Sequence, residues 1–343
     1  EKYIVNYTMN PTDVKQKRNE RDKHEPLLQP IDNKYLFTAK LEEHMDVYDL
    51  YQKQQSAIWF PGEVDYSGDR QAYLKMNKQE QHFFSHILAF FAGADLMVVE
   101  NIQSRFIDDV GHIPIIQTTY TFQAMMENIH SEAYNILLTS MIPDKQEQDR
   151  LLNAVKTMPC ITRKMEFGDK YQKCNCPFAM RLYAYLLFEG VFFSGSFCAI
   201  FWNKSRGGSL GGLISANEFI SRDEGLHCTF AVMLYKKLKY RLSQAEIEAM
   251  TKQAVEIETQ FICESIPVSM IGMNATTMTQ YIHFVSDYWI KQLGHEPIYN
   301  VENPFNFMES ISLDTKVNFF EARNTFYAKA ETEHTFNCEE DDF

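Results

Sequence analysis

The chain has 343 residues, with 33 Lys and Arg against 46 Asp and Glu, for a net charge of −13. That sign excludes sequence-independent binding to a phosphate backbone, so no nucleic-acid partner is expected. Hydrophobic residues make up 45%, including 26 Phe and 18 Tyr, ample for a large core. The 7 Cys are scattered and no secretory signal opens the sequence. Cys174 and Cys176 therefore read as reduced thiols of a cytoplasmic protein rather than zinc ligands.

Residues 1–40 mix charge and proline with few periodic apolar positions, which predicts an extended N-terminal arm. Helical periodicity begins near Glu43 and breaks at Trp59-Phe60-Pro61-Gly62. Asn77 and Glu80, at capping-box spacing, open a long apolar helix that runs to about Asp109. Pro114 opens the next helix and Pro143 closes it. Residues 144–176 read as shorter helices and a polar connection.

Pro177 starts a helix reaching about Lys204. Its Leu182–Trp202 stretch is long and apolar enough for a membrane span. Glu189 near its middle, and no comparable segment elsewhere, favour instead the central helix of a soluble bundle, with no membrane partner. Gly207, Gly208, Gly211 and Gly212 read as a flexible connection, because the Gly-Lys-Ser/Thr ending of a phosphate loop is missing. Ser215 with Glu218 predicts the start of a helix to Lys237, and Ser243 with Glu246 one to about Ser265. A last helix is expected over Asn274–Leu293. The whole reads as all-α, with a helical domain over 41–310 and a mobile segment over 311–343. The acidic stretch Glu331–Phe343 reads either as a solubilising tail or as a docking peptide.

Two Glu-x-x-His pairs sit inside apolar helical patterns, Glu127 with His130 and Glu224 with His227. At i, i+3 each pair shares a helix face. Tyr134 lies four residues beyond His130 on that face. Two such pairs plus one carboxylate from each of two other helices form the ligand set of a dinuclear site in a ferritin-like bundle. Asp95 and Glu189, each in apolar surroundings that leave an ionised carboxylate needing a partner, supply those two. Glu100, the rival on the helix of Asp95, points to a different side. Glu331-x-x-His334 has no apolar face, and His82 with His86 read as surface or core-edge histidines. Four carboxylates and two neutral imidazoles balance two divalent cations, and oxygen and nitrogen ligands favour iron or manganese.

These motifs carry a family resemblance. Met126-Glu-Asn-Ile-His-Ser-Glu-Ala-Tyr134, Glu189-Gly-Val-Phe-Phe-Ser-Gly-Ser-Phe197, Ile220-Ser-Arg-Asp-Glu-Gly-Leu-His227 and Val301-Glu-Asn-Pro-Phe-Asn-Phe-Met308 resemble the small, radical-generating subunit of class I ribonucleotide reductase of the eukaryotic type. The likeness runs from about Lys40 to Tyr327. It implies a thioredoxin-dependent ribonucleoside-diphosphate reductase whose small subunit holds two iron ions, oxo-bridged when oxidised. Dioxygen activation there would convert Tyr134 to a stable radical, in a pocket matched by Phe193, Phe197 and Ile220. The resemblance further implies that Trp59, near the surface, Asp223 and His130 relay the oxidising equivalent, with Tyr327 as a mobile step toward the large subunit. Phe343 would end the docking tail, which is richer in acid than the family pattern. A homodimer is expected, with a heterodimer with a paralogue as its alternative. A non-catalytic paralogue, an iron-storage protein and a related di-iron oxidase are the rival readings; the complete ligand set, Tyr134 and the tail disfavour them.

Overall fold

The computed structural model describes residues 19–265 and 273–308. The protein divides into two units, Glu1–Phe305 and Asn306–Phe343. In the first, the α-helices longer than four residues are α1 (Met45–Ser56), α2 (Asp69–Lys75), α3 (Lys78–Asn101), α4 (Pro114–Met141), α5 (Lys145–Leu152), α6 (Pro159–Lys173), α7 (Phe178–Leu187), α8 (Ser194–Ser205), α9 (Gly211–Lys237), α10 (Gln244–Ser265) and α11 (Ala275–Gln292). No strand occurs among the described residues. In the second unit, residues 306–308 form a helical turn. Tyr327, the Glu331/His334 pair and the tail to Phe343 lie outside the described residues.

The bundle core is α3 against α4, α4 against α9, and α9 against α7 and α8. Along α3 the buried positions Phe83, Phe84, Ile87, Leu88, Phe91, Ala94, Asp95 and Val98 recur at helical spacing. Its start is the expected capping box: the Asn77 side chain accepts from the Gln79 and Glu80 N–H groups, and Glu80 accepts from the Asn77 N–H at 3.2 Å. Glu246 likewise accepts from the Ser243 N–H at 2.8 Å before α10.

Four expectations are corrected. Helix α9 begins at Gly211, so Ser215 lies inside it. The cap comes from α2, where the Asp69 carboxylate accepts from the N–H groups of Gly212 and Leu213 at 3.0 and 2.7 Å. Local spacing cannot reveal a cap so distant in sequence. A Cβ on Gly212 would stand 2.8 Å from Asp69 Oδ2, so glycine lets the carboxylate reach the backbone. It also fills the N-terminus that a phosphate would have used. Asp69→Ala is expected to cost about 2 kcal/mol, seen as a lowered Tm in thermal denaturation.

The second correction concerns membrane-length helices. Besides Phe178–Ser205, the continuous run Lys78–Val110 is also long and apolar enough, but their apolar windows are 100% and 72% buried within the protein. Both are core helices. Third, each of these runs carries a π turn, Ile102–Phe106 and Phe188–Phe192, which apolar periodicity did not predict. Finally, Cys174 and Cys176 are joined by a disulfide rather than standing as two thiols.

The predicted arm is tied down where it is described. Asp22 accepts from the Phe178 N–H at 2.9 Å at the start of α7, and Glu25 accepts from the Lys239 and Tyr240 N–H groups at 3.0 and 2.9 Å just beyond α9. A carboxylate at the first turn of α7 also meets the positive end of that helix.

Candidate metal centre

Six side chains from four stretches of helix converge in the middle of the bundle. Asp95 comes from α3, Glu127 and His130 from α4, Glu189 from the π turn, and Glu224 and His227 from α9. One ligand atom from each of Glu127, Glu189, Glu224 and His227 lies within 4.8 Å of the others, and the same holds for Asp95, Glu127 and His130. Glu127 belongs to both groups. All six residues are buried.

The Nδ1 atom of His227 faces Glu127 Oε1 at 2.8 Å, Glu224 Oε2 at 3.2 Å and Glu189 Oε2 at 3.7 Å. His130 Nδ1 faces Glu224 Oε1 at 3.1 Å and Glu127 Oε2 at 3.3 Å. Its other nitrogen, Nε2, stands 3.1 Å from Asp223 Oδ2. That contact holds a proton on Nε2, so Nδ1, turned to the carboxylates, is the nitrogen that would offer its lone pair to a metal once its own proton is displaced. Both oxygens of Asp95, Glu127 and Glu189, one of Glu224 and Nδ1 of His130 make no hydrogen bond. Buried polar atoms left so are costly, and a cluster of them facing one point fits divalent cations.

The electrostatics agree. Burial, followed by neighbouring carboxylates, raises Asp95 and Glu189 well above the usual carboxylate range. Burial also opposes ionisation of Glu224, but the facing Glu189, His130 and His227 side chains outweigh it and lower its pKa. Burial opposes the charged form of both histidines, yet the facing carboxylates raise them well above the ordinary imidazole value. Protons thus do in this cluster what cations would do. Raised groups hold protons that metal must displace, so metal affinity is expected to rise with pH, by about tenfold per pH unit for each proton released. Titration with manganous ion at several pH values checks the sign.

Tyr134 is fully buried on α4. Its ring stacks on Phe91 at 4.4 Å with an interplanar angle of 1°. Phe193 and Phe197 touch Phe91 in turn, at 5.3 and 5.2 Å. The phenol donates to Asn217 Oδ1 at 2.7 Å, and the Asn217 amide donates to Leu213 O at 2.8 Å. Burial, then the charges of Asp95, Glu224 and Glu127, push the phenol well above its ordinary pKa. Sequence reading missed Phe91 and Asn217. Asn217 had a signal: it lies two helical turns before Glu224 on the same face of α9.

On the far side of His130, Asp223 Oδ2 also accepts from the Trp59 indole N–H at 2.8 Å, while Arg222 donates to Asp223 Oδ1 at 3.0 Å. Trp59 and His130 stack at 6.2 Å. Trp59 is only 2% exposed, so the expected near-surface tryptophan is itself covered; Phe60 beside it is 53% exposed. Glu100 is exposed and outside the cluster. His82 and His86 pack against each other at 3.9 Å with their rings tilted by 45°, and His86 Nδ1 pairs with His82 O, away from the centre.

A helical bundle that gathers two Glu-x-x-His pairs and two further carboxylates is a ferritin-like carboxylate bundle. The protein belongs to the ribonucleotide reductase small-chain family, whose model, described as "Ribonucleotide reductase, small chain", matches residues 37–304. It is 46% identical over 311 residues to a ribonucleoside-diphosphate reductase small chain of Arabidopsis thaliana, a match covering 91% of the present sequence and 90% of the relative. It is also 46% identical over 313 residues to the small subunit from Dictyostelium discoideum, covering 90% and 92%. Among solved structures, the Rnr4 homodimer of the ribonucleotide reductase from Saccharomyces cerevisiae superposes with a TM-score of 0.76 at 27% identity, covering 93% of the present sequence and 96% of the yeast one. The R2 subunit from Clostridium botulinum, at 18% identity, 78% and 88% coverage and a TM-score of 0.70, shares the fold.

Proposed function

We propose that this small subunit of ribonucleoside-diphosphate reductase holds two iron ions between Asp95, Glu127, His130, Glu189, Glu224 and His227, and that Tyr134 carries the stable radical used by a large subunit. The observation behind this reading is the convergence of six buried ligands, most of their facing atoms without hydrogen bonds, beside one fully buried phenol. Bound iron would supply dioxygen activation, the oxidising power for the site.

The protein's own part is to prepare Tyr134. Because burial and three neighbouring carboxylates hold the phenol protonated, Tyr134 must give up its electron and its proton together. Asn217 Oδ1 orients the hydroxyl but, as an amide oxygen, is too weak a base to take the proton, which would pass to a carboxylate of the adjoining cluster, Asp95 being the one whose charge acts most on the phenol. Phe91 covers one ring face, and Phe193 and Phe197 exclude water behind it, slowing quenching of the radical. Asp223 fixes both the Trp59 indole and the His130 imidazole through one oxygen, a continuous series of groups from the centre toward Phe60. On the family resemblance, Trp59 and Asp223 relay the equivalent and Tyr327 continues it, with the tail ending in Phe343 docking on the large subunit. A cytoplasmic homodimer is the proposed assembly; the Saccharomyces cerevisiae Rnr4 structure is a homodimer.

Electron paramagnetic resonance after adding ferrous iron and dioxygen to the metal-free protein tests the proposal. A tyrosyl signal is the expected result. Iron that binds and oxidises without any radical would favour the non-catalytic paralogue or a related oxidase and overturn the assignment to Tyr134.

A further inference from the structure

Lys164 on α6 and Glu258 on α10 form an ion pair at 2.5 Å with both side chains fully buried. Neither belongs to the six-residue cluster. A buried pair recovers its desolvation cost poorly and is weak as a source of stability, so its contacts matter more than its charge. The Lys164 ammonium lies over the rings of Phe90 and Phe261, at 3.8 and 3.6 Å from their centroids, and donates to Phe192 O at 2.8 Å. Phe192 is the last residue of the π turn that carries Glu189. Glu258 Oε1 occupies the space beside Gly195, where a Cβ would come within 2.5 Å of it. From the other side, Trp289 on α11 donates its indole N–H to Gly190 O at 3.3 Å, and a Cβ on Gly190 would meet that nitrogen at 2.5 Å. The backbone around Glu189 is therefore gripped at positions 190, 192 and 195 by side chains of three other helices.

A π turn inserts a residue into the helical ladder and rotates the residues beyond it, so it needs outside support to hold one register. We propose that Lys164 and Glu258 are positioning residues that fix the Phe188–Phe192 turn and so aim the Glu189 carboxylate at the cluster. This rests on the metal-centre reading above. Glu189 shares its group with Glu127, Glu224 and His227, whereas Asp95 and His130 sit with Glu127 in the other. The pair therefore acts on one of the two metal positions and spares the other.

The test uses the full-length protein, freed of metal and titrated with manganous ion, with free ion followed by electron paramagnetic resonance. Wild type should take two ions per subunit and develop a spin-coupled signal. Lys164→Met/Glu258→Leu removes both charges, fills the space with apolar groups and keeps the fold, judged by circular dichroism and Tm. It should bind one ion normally and the other about tenfold or more weakly, with an uncoupled signal in place of the coupled one. Glu258→Gln, close to isosteric, leaves Lys164 bonded to Phe192 and should weaken the same position by less. Two ions bound with wild-type affinity and coupling in both variants would overturn the proposal. Failure of wild type itself to bind two ions would instead overturn the metal-centre reading.

Discussion

Tyr134→Phe is expected to abolish the radical and lower reductase turnover by several orders of magnitude while leaving metal binding unchanged. The phenol is not in either ligand group, so no ligand is lost. The ring is retained, so its stacking on Phe91 survives. What disappears is the O–H that, in the proposed reading, yields an electron and a proton. Asn217 Oδ1 loses its donor and becomes a buried acceptor without a partner, at a cost of about 1–3 kcal/mol, so a modest fall in Tm should accompany the loss. Iron stoichiometry, the paramagnetic signal and turnover with a large subunit measure these separately. Turnover persisting in Tyr134→Phe would remove Tyr134 from the mechanism.

Glu127→Ala is expected to weaken both metal positions, whereas Asp95→Ala should weaken one. Glu127 is the member common to the two groups, with one oxygen toward His227 and the other toward His130. Loss of one ligand from each position should reduce affinity by about a hundredfold or more, extrapolating from the effects of outer-shell changes. The metal-free protein should respond differently. Asp95 and Glu189 are both raised in part by the Glu127 charge, so removing that carboxylate relieves repulsion. Their retained protons give stability that is lost as pH rises through the raised values, and Glu127→Ala should flatten that loss. Manganous-ion titration and Tm against pH read the two effects. Equal effects of Glu127→Ala and Asp95→Ala on both ions would refute the shared role.

The sequence by itself determined the helices that matter and the spacing on each. A Glu and a His three residues apart share a helix face whatever surrounds them, so the inward set of α4 and α9 was legible from local periodicity. The starts of α3, α4 and α10 were legible too, because Asn77, Pro114 and Ser243 act within one turn of themselves. Asp95 and Glu189 stood out as carboxylates in apolar runs, and the structure brings both into the cluster.

Tertiary structure decided everything that depends on residues far apart in sequence. Asp69 caps α9 from 143 positions away, and Tyr134 finds Asn217 across 83. The α9 start was misplaced for that reason: Ser215 and Glu218 have capping-box spacing, but a remote carboxylate satisfies the first N–H groups four residues earlier. The π turn at Glu189 is the clearest case. Apart from Glu189 its sequence is apolar and small, and it carries no local mark of the extra residue. Its register is set by Lys164, Glu258 and Trp289 from three other helices.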